Sequence, residues 1–359
     1  MSKVEALRRE VDKLDYEVIN LLKKRVELAK AISKAKKEEG IPIYDPLREG
    51  EVLKRVKKLA LKKDLSLDEV TWIYRKIMAL CRRFEGEIVK VAFLGPAGTF
   101  SEQAAKKFFF NTPATFLECP SIQDVFRAVS VGDADFGVAP VENSLEGSVN
   151  IVLDLLLNSS LKVFGEIEER ISHNLIVKPG TKIEEIKLII SHPQALAQCK
   201  NFIEENLREV KIKECNSTAL AVKMAKKIKG AAAIGTELAA QIYGLEIAAR
   251  GIEDWANNFT RFFVLSKIEA KPTGNDKTSI IFSVKHKPGA LYQALEVFAK
   301  KQINLTKIES RPSRRKPWEY LFYCDFEGHK EKTPCNEALK ELKKKCAFIK
   351  ILGSYPKAQ

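Results

Sequence analysis

No run in this chain approaches the roughly eighteen consecutive apolar residues that a membrane-spanning helix needs. The opening stretch, MSKVEALRREVDKLD, is charged and helical in pattern and contains no apolar secretory core. Cysteine is sparse: seven residues, at 81, 119, 199, 215, 324, 335 and 346, are scattered, odd in number and without metal-ligand spacing. These absences argue against a membrane protein, a secreted disulfide scaffold and a zinc module, and favour a reducing, cytoplasmic compartment. Also missing are the GxGxxG fingerprint, the Walker lysine and any helix-turn-helix or RNP pattern. The net charge of +14 therefore has no nucleic-acid motif behind it, and most lysines lie beside Glu on polar helix faces. A solvated surface, or the capture of small anions, accounts for it better.

What is present divides in three. At 359 residues, with 45% hydrophobic content, the chain is long enough for two or three globular domains. Val4, Leu7, Val11, Leu14, Val18, Leu21, Leu28 and Ile32 recur at alternating steps of three and four, which predicts one long helix over 3–37 with a heptad seam. Arg25 interrupts that seam, and a charge there needs a partner such as a carboxylate ligand. Lys36 shares its face, roughly 16 Å along the axis. Arg8 lies about 25 Å from Arg25 and cannot reach the same ligand from the same straight helix. If it takes part, it comes from a second copy, which predicts a dimer with shared sites. A second helix opens at Asp45-Pro46, with Arg48 and Glu49 in its first turn, and a third runs from Leu67 to Glu85 behind a Ser66/Glu69 capping box. Its expected core positions are Val70, Ile73, Ile77 and Leu80.

From Val91 the pattern turns to strand–helix alternation. This predicts a parallel-rich α/β region with room for two lobes and a cleft. Strand-end loops carry Thr99, Ser101, Glu142, Asn143, His192, Gln194, Ser217 and Thr218. The Gly95-Pro-Ala-Gly-Thr-Phe-Ser101 turn offers backbone N–H groups to an anion. Asp254-Trp-Ala-Asn-Asn-Phe-Thr-Arg-Phe-Phe263 crowds polar groups at the mouth of a buried strand, where a rigid element can aim them. After a Pro/Gly-rich linker at 271–276, the order strand–helix–strand–strand–helix–strand gives a ferredoxin-like unit that is better suited to binding than to reaction.

The spaced set Arg8, Asp15, Arg25, Lys36, Asp45, Arg48, Glu49, Cys81 and Glu85 resembles the ordered site residues of the all-helical chorismate mutases. Cys81 stands where Ser is frequent, and Glu85 where Gln is frequent. The strings GPAGTFSEQA, APVENSLEGSV, SHPQALAQC, NSTALAV and NNFTRFFVL resemble prephenate dehydratases, and HKPGALYQAL with NLTKIESRP resembles the ACT regulatory domains attached to them. The resemblance implies an intertwined helical dimer over 1–88, a two-lobed α/β dehydratase domain over 90–268 and a regulatory domain over 276–359. It implies that Arg8, Arg25 and Arg48 hold carboxylates, that Glu49, Asp45 and Cys81 contact substrate, and that Lys36 and Glu85 donate to an ether oxygen. Glu85 donates only when protonated, so mutase activity is expected to fall as pH rises through its pKa. It implies Thr260 as the dehydratase catalytic donor, with Thr99, Ser101, Glu142, Asn143, Asn258 and Arg261 binding substrate. Phenylalanine is then the effector, at Gly289, Ala290, Leu291, Glu309, Ser310, Arg311 and Pro312. No metal or organic cofactor is expected; a homodimer, or a tetramer of such dimers, is. A two-lobed ligand-binding regulator with a helical dimerisation arm stays open at this point, although the Lys36, Arg48 and Glu49 set exceeds what such an arm needs.

Overall fold

The computed structural model of the chain describes residues 2–39, 46–84, 88–110, 112–313 and 319–358. Two compact units emerge: Met1–Val89 with Phe109–Thr115, and Lys90–Phe108 with Phe116–Gln359. Among the described residues no helix is long and apolar enough to cross a membrane.

The first unit is built on α1 (Lys3–Glu38), α2 (Pro46–Leu61) and α3 (Leu67–Phe84). Val52 and Val56 of α2 close on Met78 of α3, with Leu53, Val70 and Tyr74 around them. Ser66 accepts from the Glu69 N–H and so starts α3 as its sequence signals. The buried stripe of α3 differs from the expected one. Thr71, Met78, Cys81 and Arg82 point inward, whereas Ile73 and Leu80 are exposed. The helix carries two apolar stripes, and periodicity alone does not say which one meets its own chain. The α1 seam from Val4 to Leu21 is likewise exposed, each apolar side chain by more than half.

The second unit has three sheets. The first lobe takes β1 (Val89–Leu94), α4 (Phe100–Phe108), β2 (Ala114–Cys119), α5 (Ile122–Val131), β3 (Phe136–Asn143), β4 (Gly147–Ser148), α6 (Asn150–Asn158) and β5 (Lys162–Arg170). The second takes β6 (Asn174–Val177), β7 (Leu188–Ser191), α7 (Pro193–Gln198), α8 (Lys200–Asn206), β8 (Lys211–Glu214), α9 (Thr218–Ala225), β9 (Ala231–Gly235), α10 (Glu237–Tyr243) and β10 (Glu246–Ala249). The chain then returns through β11 (Phe259–Ser266) to the first lobe, whose strand order is β2-β1-β3-β11-β5. The second sheet runs β10-β6-β9-β7-β8. Both sheets are mixed rather than parallel-rich. β11 runs antiparallel to β3 and β5, and β6 runs antiparallel to β9 and β10. A strand that returns after a whole intervening lobe enters from the opposite end, and local strand–helix alternation carries no sign of that.

The two crossings between lobes, 171–173 and 250–258, bond to each other: Ile171 N–H reaches Asn258 O at 2.8 Å, and Ile252 N–H reaches His173 O at 2.9 Å. The C-terminal part follows the expected order, with β12 (Asp276–Val284), α11 (Ala290–Lys300), β13 (Leu305–Pro312), β14 (Tyr320–Glu327), α12 (Cys335–Lys345) and β15 (Cys346–Pro356). Its sheet is antiparallel, ordered β13-β14-β12-β15, over a core that includes Ile280, Phe282, Phe298 and Phe326. β15 lies against β5 of the first lobe at Gly353, where a Cβ would stand 2.1 Å from the Val163 carbonyl oxygen.

Candidate functional site

In the helical unit a cavity of about 300 Å³ brings together Arg25, Lys36, Arg48, Glu49 and Cys81, all expected from the sequence. With Arg55 and Arg82 its wall holds five cations and one carboxylate, Glu49. Arg25 Nε is buried and has no hydrogen-bond partner among the described residues. Such a wall has the charge complementary to a small dianion. Arg8 is not among the residues lining the cavity, and Asp45 and Glu85 lie outside the described residues. Arg82, which the sequence reading missed, is buried and pairs with Glu49.

In the α/β unit the Gly-rich turn is not a free anion cradle. Ala97 N–H is taken by Glu118 Oε2 at 3.0 Å and Gly98 N–H by Glu102 Oε2 at 2.5 Å. The Thr99 hydroxyl donates to Leu94 O at 2.8 Å, closing the turn, and Ser101 is buried on α4. His192 caps α7 by accepting the Gln194 N–H, and Asp254 accepts the Asn201 N–H at the start of α8.

Thr260 sits opposite Asn143 in the β11–β3 ladder. The Asn143 side-chain oxygen accepts the N–H groups of Leu145 and Glu146, both at 3.0 Å. Its amide nitrogen must therefore be the donor, and it reaches Thr260 Oγ1 at 2.9 Å and Asn258 Oδ1 at 2.8 Å. Since the Thr260 oxygen accepts this N–H, its own proton is free to be donated elsewhere, and accepting a hydrogen bond makes that proton more acidic. Asn258 in turn donates to Gln198 Oε1 at 3.1 Å. Gln198, also missed at the sequence level, is buried at the end of α7 in the second lobe.

One residue along, the same two strands face the other way. Arg261 is opposite Glu142. Its guanidinium donates to Glu166 at 2.7 Å, to Asp325 at 2.6 Å and to the Tyr355 hydroxyl at 2.9 Å. Burial opposes its charge, but Tyr355, Asp325 and Glu166 outweigh that and hold its pKa above the ordinary value. Glu142 pairs with Lys307 at 3.0 Å. Both residues were expected at substrate; their charges are met by Glu166 of β5, by each other at 3.7 Å and by Asp325, Tyr355 and Lys307 of the C-terminal sheet.

Gly289 has φ +77° and opens α11, a backbone that glycine adopts without strain. β12 and β13 both run antiparallel to β14, so the turn after β12 and the end of β13 lie at the same end of the sheet. The expected effector residues divide there. Glu309 bonds Ser148, and Arg311 bonds Asn150 O at 2.6 Å and Asp154 at 3.1 Å. Ser310 and Pro312, at the alternate positions of β13, are exposed.

Three family models match the chain in order: chorismate mutase type II over residues 7–86, prephenate dehydratase over 91–270 and the ACT domain over 278–344. The fold and the two sites thus define an enzyme with a helical isomerase part, a two-lobed lyase part and a regulatory part. A bifunctional chorismate mutase/prephenate dehydratase of Aquifex aeolicus is 47% identical over 363 residues, covering 100% of this chain and 99% of that protein. Among solved structures, prephenate dehydratase from Arthrobacter aurescens in complex with L-Phe has a TM-score of 0.69 at 32% identity, covering 75% of this chain and 90% of that one. GqqA, described as a novel type of quorum quenching acylase, also has a TM-score of 0.69, at 33% identity, covering 75% and 98%. The chain belongs to the bifunctional chorismate mutase/prephenate dehydratase family.

Proposed function

We infer that the chain converts chorismate to prephenate in its helical unit and prephenate to phenylpyruvate in its α/β unit, with phenylalanine as feedback inhibitor. The observation that carries this reading is the pairing, in one chain, of a cation-walled cavity with a buried threonine that accepts an amide N–H.

The first reaction is pericyclic and needs no nucleophile, only orientation and charge stabilisation. Arg25 and Arg48 hold the carboxylates, with Arg8 entering from a second copy. Glu49, oriented by Arg82, and Asp45 take the ring hydroxyl, and Cys81 borders the substrate. Lys36 and protonated Glu85 donate to the ether oxygen. In the second reaction the electron pair of the breaking ring–carboxylate bond moves into the ring as carbon dioxide leaves. The ring hydroxyl departs with a proton from Thr260, giving water and an aromatic product, and Thr260 regains its proton from solvent. Asn143 fixes and polarises Thr260, Asn258 and Gln198 extend the polar wall, and Thr99 and Ser101 shape the neighbouring turn.

Phenylalanine is taken at the Gly289–Leu291 turn, at the end of the sheet that also carries Ser310 and Pro312, while Glu309 and Arg311 link that end of the sheet to β4 and α6. The enzyme is cytoplasmic and pairs through the exposed α1 seam, with a tetramer as the next level of assembly. Domain limits at 1–88, 90–268 and 276–359 fit this division.

Purified protein supplied with chorismate alone is expected to release phenylpyruvate, and less of it when phenylalanine is added. Thr260→Ala should stop the reaction at prephenate. A normal dehydratase rate in that variant would remove Thr260 from its role.

A further inference from the structure

We propose that His173 is a positioning residue of the dehydratase reaction, acting through Gln198 to aim the Gln198 amide N–H groups at the substrate. The inference rests on the dehydratase reading above and starts from backbone hydrogen bonds.

The two backbone N–H groups on Asn143 Oδ1 fix which end of that amide is oxygen. Asn258 Oδ1 then has to accept from Asn143, so Asn258 Nδ2 is the donor to Gln198 Oε1. The oxygen of Gln198 is therefore the atom 3.0 Å from His173 Nε2. A carbonyl oxygen only accepts, so His173 carries its proton on Nε2. A single orientation thus passes along five side chains, Thr260, Asn143, Asn258, Gln198 and His173, every one of them buried. Thr260 and Asn143 belong to the first lobe, Gln198 to the second, and His173 and Asn258 lie on the two crossings between them.

Within this relay of five side chains, two buried atoms have no hydrogen-bond partner among the described residues: Gln198 Nε2 and His173 Nδ1. Gln198 is 8% exposed, and a buried amide donor of this kind is costly unless something takes its N–H. With its oxygen held from two sides, Gln198 cannot turn over, and its NH2 group stays presented. A carboxylate or carbonyl of the substrate is the chemistry that accepts it. The His173 ring is also seated edge-on against Phe100, centroids 5.6 Å apart, and its backbone N–H is held by Glu253 at 2.8 Å. Both contacts fix the imidazole where Gln198 needs it. Burial favours the neutral ring, with Gln198 and Glu253 opposing.

The test uses the full-length protein, prephenate as substrate, and His173→Leu and His173→Gln, each made alone and with Gln198→Leu. His173→Leu is expected to lower kcat by roughly ten- to a hundredfold, the range that misplacement of a contact group costs, with a smaller change in KM. His173→Gln, whose amide nitrogen occupies the place of Nε2, should recover most of that loss. In the Gln198→Leu background His173→Leu should add less than about twofold, because the group it positions is gone. Losses that multiply in the double variant, an unaffected His173→Leu enzyme, or equal impairment by Leu and Gln would each overturn the proposal. Mutase rate and melting temperature of the same samples report the fold. If His173→Leu does not fold, His173→Gln decides alone: near-normal turnover supports the proposal and a collapse in kcat overturns it. Thr260→Ala, assayed alongside, tests the dehydratase reading itself; full activity there refutes that reading whatever His173 does.

Discussion

Replacing Arg261 by Met would test whether the strand that carries Thr260 is held by the regulatory sheet. The structure sets the magnitude. The Arg261 side chain is 10% exposed and sits between Glu166, at 1%, and Asp325, at 7%. Lys277 is 2.8 Å from Glu166, so this buried group holds two cations and two carboxylates. Arg261→Met removes one cation. Glu166 keeps Lys277, but Asp325 loses its salt-bridge partner. Breaking a buried pair from one side costs about 3–5 kcal/mol, because a charge is left uncompensated in a poor solvent. For a unit of this size that is a fall of roughly 6–20 °C in melting temperature. Asp325→Leu added to Arg261→Met removes the stranded charge, and the double variant should regain about 1–3 kcal/mol of the single loss.

Calorimetry of the full chain, with rates on prephenate with and without phenylalanine, provides the assay. Arg261→Met is expected to melt early, to turn over prephenate more slowly and to respond less to phenylalanine. Its mutase rate should stay near normal, since the helical cavity is a separate site. A variant that melts with the wild type and keeps full phenylalanine sensitivity would refute the reasoning. It would mean that the network is a by-product of burial rather than a link to the catalytic strand.

Three further outcomes are expected. Leu14→Lys puts a charge on the α1 seam, where Leu14 is 59% exposed in the single chain; if the seam pairs two copies as proposed, light scattering should show the variant as a monomer, and mutase activity should fall while prephenate turnover persists. Gly353→Ala places a methyl group 2.1 Å from the Val163 carbonyl oxygen. Backbone does not yield there, so the variant should lose at least the 1–3 kcal/mol typical of overpacking, measurable as a lower melting temperature. Burial lowers the His173 pKa below 6.5, against Gln198 and Glu253. The unfolded chain therefore binds the proton first, and the stability held by the neutral ring is complete above pH 6.5 and declines as pH falls below it. A thermal-stability profile with that slope in the wild type, flattened in His173→Gln, is the expected result.

Much of the fold was legible because periodicity and caps are local. The long helix, the Ser66 box and the βαββαβ order all come from spacings of two, three or four residues. Legibility ended where distant segments choose partners. The exposed stripe of α3 and the antiparallel return of β11 both depend on what packs from elsewhere in the chain or from a second copy. At the helical cavity Arg25, Lys36, Arg48, Glu49 and Cys81 converge because they lie on a few long helices, whose geometry follows from residue number. Gln198 was passed over because a glutamine in a helical string has no chemical signature until an amide donor and an imidazole are set against it.

The residues Glu142-Asn143 and Thr260-Arg261 show why adjacency in a motif misleads. Side chains on a strand alternate between faces, so neighbours in such a string do not meet the same surroundings. The ladder sets Asn143 against Thr260 and, one step along, Glu142 against Arg261. The first pair belongs to the amide chain that reaches Gln198 and His173. The second belongs to an ionic cluster closed by Asp325, Tyr355 and Lys307 of the C-terminal sheet. If Thr260 is the dehydratase donor as proposed, chemistry and its control would be separated by the thickness of one sheet rather than by a long path. Arg261 is bonded to β14 and β15 and is the neighbour of Thr260 on β11, so a shift of β14 or β15 that disturbs Arg261 is expected to reach the Thr260 backbone. On this wiring, substitutions at Asp325 or Tyr355 should alter the dehydratase kcat even without phenylalanine, and an effect confined to effector affinity would require a different route.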